Sequence, residues 1–237
     1  MAHPLNGARK RVERADKHLR EAIAEIEATG LIELNSISVQ YDAVSDQLRI
    51  NEPELHINAD WLSLIVSDCI HNLRSALDYL VFELARSDSG TVQDGTQFLI
   101  EDDPIQFTKR AKSYLKGLTN DHIKAIRALQ PCEGVDWTKT LRTISNPDKH
   151  MHLTVLWSNQ RFEFICTAGL PGSFVGMGGK VFPHVVAGGS DLHVQRGHPM
   201  HVAFDDRSPV VETLEILKSQ VSATIESFEA EVKPYPI

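Results

Sequence analysis

The chain has 237 residues, with 42% apolar and 24% charged residues, which excludes a disordered or fibrous protein and allows a sizeable buried core. Its formal charge of −8 argues against a broad basic surface for nonspecific nucleic-acid binding, although a small basic cleft is compatible with it. The three widely spaced cysteines do not form a disulfide framework or a CxxC zinc pattern. No stretch has the length of a signal-peptide core or a membrane span, so we expect a cytoplasmic protein without a membrane partner.

The first part of the chain alternates between helical and strand patterns. Val12, Ala15, Leu19 and Ile23 recur at three- and four-residue steps, which predicts an amphipathic helix over 5–29. Between 37 and 50 the period changes to two, and this predicts a β-hairpin. From 59 to 86 the sequence is apolar on most sides, so we expect this helix to be central and buried.

The remaining elements are shorter, apart from the last helix. A short strand is predicted at 97–100, and helices are predicted over 104–115, 121–129, 136–145 and 209–231. Strands are predicted at 152–157 and 161–166, paired with each other, and at 201–204. We expect one α+β domain over 1–237, predominantly helical, with a four-helix-bundle-like core (5–29, 59–86, 136–145, 209–231). A β-rich insert over about 152–204, joined by the early hairpin, would form a small antiparallel β-sheet.

Polar side chains interrupt the apolar helix at 59–86. His71, Arg74 and Asp78 are spaced i, i+3 and i+7, which puts them on one face. Unpaired buried charges are costly, so these side chains must pair, reach solvent or line a polar cleft. In a functional interpretation, Arg74 holds an anionic group, Asp78 orients it, His71 moves a proton and Asn72 contacts the substrate. The structural alternative is an Arg74–Asp78 ion pair, with His71 hydrogen-bonded to a neighbouring helix.

A second polar stretch follows the helix predicted at 136–145. Its residues lie on a turn between a helix and a strand, where site residues are common. His150 would serve as a general base, Lys149 would contact a phosphate or carboxylate, and Asp148 would fix the imidazole tautomer. Asn146 would also contact the substrate. The structural alternative is a turn in which Asn146 or Asp148 caps backbone N–H groups while Lys149 lies in solvent.

The run HNLRSALDYLVFEL, followed later by SNPDKH, resembles a widespread bacterial family with the pattern HNLRSALD…NxDKH. It is more distantly similar to the HEPN superfamily of four-helix-bundle proteins. The resemblance covers chiefly 59–86 and 140–153, about a fifth of the chain. Many HEPN proteins are metal-independent endoribonucleases whose motif is an Arg followed, after four to six residues, by a His. The resemblance also implies a homodimer.

Arg74 would be the motif Arg of that superfamily. The matching His is missing, because positions 79–81 are Tyr, Leu and Val. Arg142 is too far from His150 to supply the pair instead. The resemblance therefore implies either that His71 or His150 replaces the base, or that the protein is a relative that does not cleave RNA.

A further group of histidines lies in or beside the Gly-rich region. Their spacing matches no metal-binding motif, so no metal site and no cofactor are expected there; they are His184, His193, His198 and His201, with Asp191 nearby.

Two hypotheses remain. In the first, a cleft built from His71, Arg74, Asp78 and the 146–150 turn either binds RNA or a nucleotide or also cleaves it without a metal. In the second, both polar stretches are structural, and the protein is a non-enzymatic helical interaction module whose partner binds an outer face.

Overall fold

The computed structural model describes residues 3–34, 38–42, 47–51, 58–145, 154–156, 162–166, 192–196, 201–204 and 206–232. The helices are α1 (Asn6–Leu34), α2 (Ala59–Ser89), α3 (Pro104–Tyr114), α4 (Asn120–Arg127), α5 (Asp136–Ile144) and α6 (Val210–Ser227), with a 3-10 turn at Pro131–Glu133. The strands are β1 (Ser38–Asp42), β2 (Gln47–Asn51), β3 (Thr154–Leu156), β4 (Phe162–Cys166), β5 (Leu192–Arg196) and β6 (His201–Ala203).

These elements fall into two compact units. The first unit comprises Met1–Ala22, Asp60–His152 and Val211–Ile237, and its regular elements among the described residues are all helical. The second unit comprises Ile23–Ala59 and Leu153–Val210, and it contains the six described strands and the second part of α1. The organisation of 1–237 as a single domain stays a prediction.

The prediction of an α+β fold with a small antiparallel β-sheet is wrong. Six helices dominate the described residues, and the strands pair only two by two: β1 with β2, β3 with β6, and β4 with β5. The expected pairing of 152–157 with 161–166 is replaced by pairing with later strands. Alternating residues indicate extended backbone, but they do not specify the neighbouring strand.

In the first unit, α1 and α6 each bury one apolar stripe. The stripe of α1 includes Ala8, Val12, Ala15, Leu19 and Ala22, and that of α6 includes Leu214, Leu217, Val221 and Ile225. The three- and four-residue spacing puts each set on one side of its helix. An ion pair joins the two helices at their polar edge, where Lys218 Nζ lies 2.5 Å from Asp16 Oδ1.

The apolar side of α2 is buried, and Leu73, Ala76 and Leu77 have no exposed surface. The sequence predicts a buried helix here, but that prediction is wrong for Trp61 and Leu64, which are exposed. Both lie near the start of α2, where the helix has an outward side. Among the described segments, no helix combines the length and the apolar character needed to cross a bilayer.

The ends of α3 and α4 are defined by local sequence signals. Asp103 caps α3, because its carboxylate accepts the backbone N–H of Ile105 at 2.7 Å and Pro104 occupies the first turn. Thr119 caps α4 by accepting the N–H of His122 at 3.4 Å. Between the helices, Gly117 has a φ of +83°, a conformation that favours glycine. This turn brings the two helices into a hairpin.

Candidate functional site

The polar stretch of α2 places Arg74 and Asp78 one helical turn apart. Arg74 Nη2 lies 3.8 Å from Asp78 Oδ1, and the two side chains are 19% and 30% exposed. Both groups also contact the same residue of another segment. The carboxylate of Asp78 accepts the backbone N–H of Phe98 at 2.9 Å, and the Arg74 guanidinium donates to the carbonyl oxygen of Phe98. The two charged side chains thus satisfy both backbone polar groups of one residue.

Phe98 lies in an extended segment, residues 97–101, that we call the core segment. Phe98, Leu99 and Ile100 are buried, and Glu101 is nearly so. The strand predicted at 97–100 is not formed, because no other strand pairs with this backbone among the described residues. A buried backbone without hydrogen-bond partners would be strongly destabilising, so its partners must come from elsewhere.

Side chains and loops supply those partners. Gln130 Oε1 accepts the N–H of Glu101 at 2.9 Å, and Arg142 Nη1 donates to the carbonyl of Ile100 at 3.2 Å. The N–H of Gln97 donates to the carbonyl of Tyr114 at 3.0 Å. The core segment is therefore held by helices on several sides, and Arg74 and Asp78 supply the contacts from α2.

The electrostatics of Arg74 and Asp78 follow from their burial. Loss of solvation lowers the pKa of the Arg74 guanidinium and raises the pKa of the Asp78 carboxyl. Their mutual attraction opposes both shifts, and the Phe98 N–H further favours the Asp78 carboxylate. Each charged group thus depends on the other and on Phe98 for stabilisation.

The neighbouring polar side chains of α2 contact α1 or their own helix. Arg11 donates from Nε to Ser75 Oγ at 2.9 Å, and its guanidinium carbon lies 3.3 Å from the ring centroid of Tyr79. Asn72 Nδ2 donates to the carbonyl of Asp68 at 2.7 Å.

His71 differs, because it is exposed on the surface of α2. Of the predicted site residues on α2, the structure thus brings Arg74 and Asp78 together at the core segment. The catalytic and substrate-binding roles assigned to His71, Asn72, Arg74 and Asp78 stay predictions.

The second polar stretch lies outside the described residues. This applies to Asn146, Asp148, Lys149 and His150. Their predicted roles, and the cleft that they would share with Arg74, stay predictions. Within the part of the chain that the structure describes, no group of three His, Cys, Asp or Glu side chains is placed to hold a metal ion.

The structure also contains a polar cluster around the buried His122, which the sequence did not predict. Its Nδ1 lies 2.6 Å from Asp88 Oδ2, and its Nε2 lies 2.8 Å from Glu231 Oε2. Asp88 Oδ2 also accepts the N–H of Thr119 at 2.7 Å. The three ionisable residues come from α2, α4 and the segment after α6, so no short motif contains them. The one sequence signal was a histidine on a short amphipathic helix.

Comparison with known proteins leaves the site without a precedent. No family model matches the chain, and no curated protein and no solved structure matches it at a significant level. A functional assignment consequently has to come from the geometry and chemistry of the residues themselves.

Proposed function

We propose that this protein is a non-enzymatic helical binding module, in which the polar stretch of α2 serves the fold. The observation that supports this most strongly is the pair of contacts from Arg74 and Asp78 to the backbone of Phe98. These contacts account for both buried charges without a ligand.

A phosphate-binding role for Arg74 would conflict with these contacts. A phosphate that took over the Nη2 donor of Arg74 would displace the carbonyl of Phe98, a fully buried residue. Leaving a buried polar group without a partner costs about 1–3 kcal/mol. The position after Asp78 carries Tyr79, whose ring is covered by Arg11, and no histidine follows at the spacing of the HEPN motif.

The test is incubation of the purified full-length protein with total RNA, with and without EDTA. We expect no cleavage products in either sample. The His71→Ala variant is the informative comparison, because His71 is exposed and its removal leaves the Phe98 contacts in place. Asp68→Ala, at another exposed position of α2, is the matched control. EDTA-resistant cleavage that is lost in His71→Ala but kept in Asp68→Ala would show that the protein is a nuclease.

Metal-independent RNA cleavage is the second candidate function. The observation in its favour is the exposed imidazole of His71, one turn before Arg74 on α2. In that case a neutral His71 would accept the proton of a ribose 2′-hydroxyl, and Arg74 would stabilise charge on the phosphate. We propose a cytoplasmic location in both cases, and a homodimer in the case of RNA cleavage.

A further inference from the structure

A groove lies between α3 and α4, at some distance along the chain from the polar stretch of α2. Its volume is about 520 Å³. The floor is mainly apolar and includes Phe107, Leu115, Leu118 and Ile123. Phe107 and Leu115 are buried, whereas Leu118 and Ile123 are half-buried and present apolar surface to the groove. Gly117, in the turn between the two helices, also lines the groove.

The rim of the groove is basic. Its cationic residues are Lys112, Lys116, Lys124 and Arg127. Within 104–127 the chain has six Lys or Arg residues and one acidic residue, Asp121, although the whole chain has a formal charge of −8. The groove is therefore a local positive region on an acidic protein.

Two of the rim cations have no acidic partner among the residues that the structure describes. No described carboxylate forms an ion pair with Lys112 or Lys116, and both are exposed. Lys124 lies 3.2 Å from Asp121, but both side chains are more than 75% exposed, so their interaction is weak. Arg127 is paired with Glu133 at 2.8 Å. An anionic partner would thus gain favourable contacts without displacing strong internal ones.

We propose that this groove docks an acidic amphipathic helical segment of another protein. Apolar side chains at three- and four-residue steps would lie on the floor, and flanking Asp and Glu residues would face Lys112, Lys116 and Lys124. This proposal rests on the proposed function as a binding module and names the class of partner.

The lining favours a peptide over single-stranded nucleic acid. Nucleic-acid grooves use exposed aromatic rings on which bases stack, and Phe107, the one aromatic residue of the lining, is 2% exposed. Three of the four rim cations are lysines, which lack the planar fork that arginine offers to phosphate. The exposed apolar surface of Leu118 and Ile123 instead suits aliphatic side chains.

The groove is also held in place before any partner arrives. Thr119 caps α4, and the buried His122 contacts Asp88 and Glu231 on two sides. Little ordering of α3 and α4 is needed on binding, and such preorganisation favours affinity.

The test uses the full-length protein and a fluorescein-labelled peptide with Leu at helical spacing and Glu elsewhere, about four helical turns long. Fluorescence polarisation should show saturable binding that weakens with added salt. Replacing two of the three groove lysines (Lys112→Glu with Lys116→Glu) should weaken binding about tenfold or more, because two attractions become repulsions. Lys109→Glu, an exposed position of α3 outside the lining, is the matched control and should change binding less than about twofold.

Several outcomes would overturn the docking proposal. They are absence of saturable binding, an equal loss in Lys109→Glu, or equal binding of a peptide with the same composition but scrambled Leu positions. Tighter binding of an oligouridine, lost in the same lysine variants, would identify nucleic acid as the occupant instead. Circular dichroism of each variant verifies its fold. RNA cleavage that depends on His71 would refute the proposed function while leaving the peptide result intact, so the two failures are distinguishable.

Discussion

Replacing Asp78 by alanine would remove the acceptor for the backbone N–H of Phe98. This N–H belongs to a fully buried residue, so losing its partner costs about 1–3 kcal/mol. Arg74 would also lose its partially exposed partner at 3.8 Å, a further loss of up to about 1 kcal/mol. We therefore expect the free energy of unfolding to fall by about 1–4 kcal/mol.

Two variants separate the hydrogen bond from other effects. Asp78→Asn keeps an acceptor oxygen for Phe98 and removes a charge that burial disfavours, so it should change the free energy of unfolding by about 1 kcal/mol or less in either direction. Asp68→Ala removes an exposed carboxylate of the same helix and should be nearly neutral. Urea unfolding followed by far-UV circular dichroism measures the three changes, and hydrogen exchange at the Phe98 amide shows whether the loss is local to the core segment.

The pH dependence provides a second measurement on the same residue. Burial raises the pKa of the Asp78 carboxyl in the folded protein, so the folded state binds this proton more tightly than the unfolded chain. The wild type should therefore gain stability relative to Asp78→Asn as the pH falls towards the unfolded value of about 3.9. This advantage should be lost as the pH rises through the folded pKa.

The reasoning would be refuted if Asp78→Ala cost no more than Asp68→Ala and left the exchange of the Phe98 amide unchanged. Arg74 and Asp78 would then not be needed by the core segment. Their retention in an apolar helix would instead favour a ligand-binding role.

Three further outcomes follow from other buried or strained positions. His122→Ala should lower the free energy of unfolding by about 2–4 kcal/mol in urea titrations, because it leaves a cavity and removes the imidazole that contacts the carboxylates of Asp88 and Glu231. Gly117→Ala should lower the free energy of unfolding by about 1–2 kcal/mol, because alanine disfavours the left-handed φ of this position. The loss should be larger than for Gly90→Ala, because Gly90 has a similar φ but open space around it. Burial raises the pKa of the Cys69 thiol to about 12, so Cys69 should not react in the folded protein. In a variant whose other two cysteines are replaced by serine, a thiol reagent should therefore label Cys69 only at the rate of unfolding, at both pH 7 and pH 9.

The helices could be predicted from the sequence because their signals are local. Apolar periodicity gives the helix at 59–86, which the structure extends to Ala59–Ser89, and Pro104 starts α3 as expected. Asp103 and Thr119 cap their helices through neighbouring residues, which a short window of sequence contains.

The partners of extended segments could not be predicted in the same way. Residues 97–100 have a strand-like composition, but their backbone is satisfied by side chains of α2, α5 and Gln130 rather than by another strand. The pairing of β3 with β6, and of β4 with β5, likewise depends on residues far along the chain.

For the candidate site, the sequence predicted an Arg74–Asp78 ion pair as the structural alternative, but it did not predict the contacts of both side chains with Phe98. Phe98, twenty residues beyond Asp78, offers only backbone groups, which carry no signature in the sequence. The His122 cluster could not be predicted for a related reason, because Asp88 and Glu231 lie 34 and 109 positions from His122 in the sequence. The choice between a ligand-binding and a structural role thus required tertiary contacts.

The first unit is assembled from three separate stretches of chain, and this has a consequence for synthesis. Asp16 of α1 meets Lys218 of α6, 202 positions later. At about 5–20 residues per second, a ribosome needs on the order of 10 s or more to translate that interval. The contact between α1 and α6 therefore forms only after that interval, whereas the contact of Arg11 in α1 with Ser75 in α2 spans 64 positions and can form much earlier.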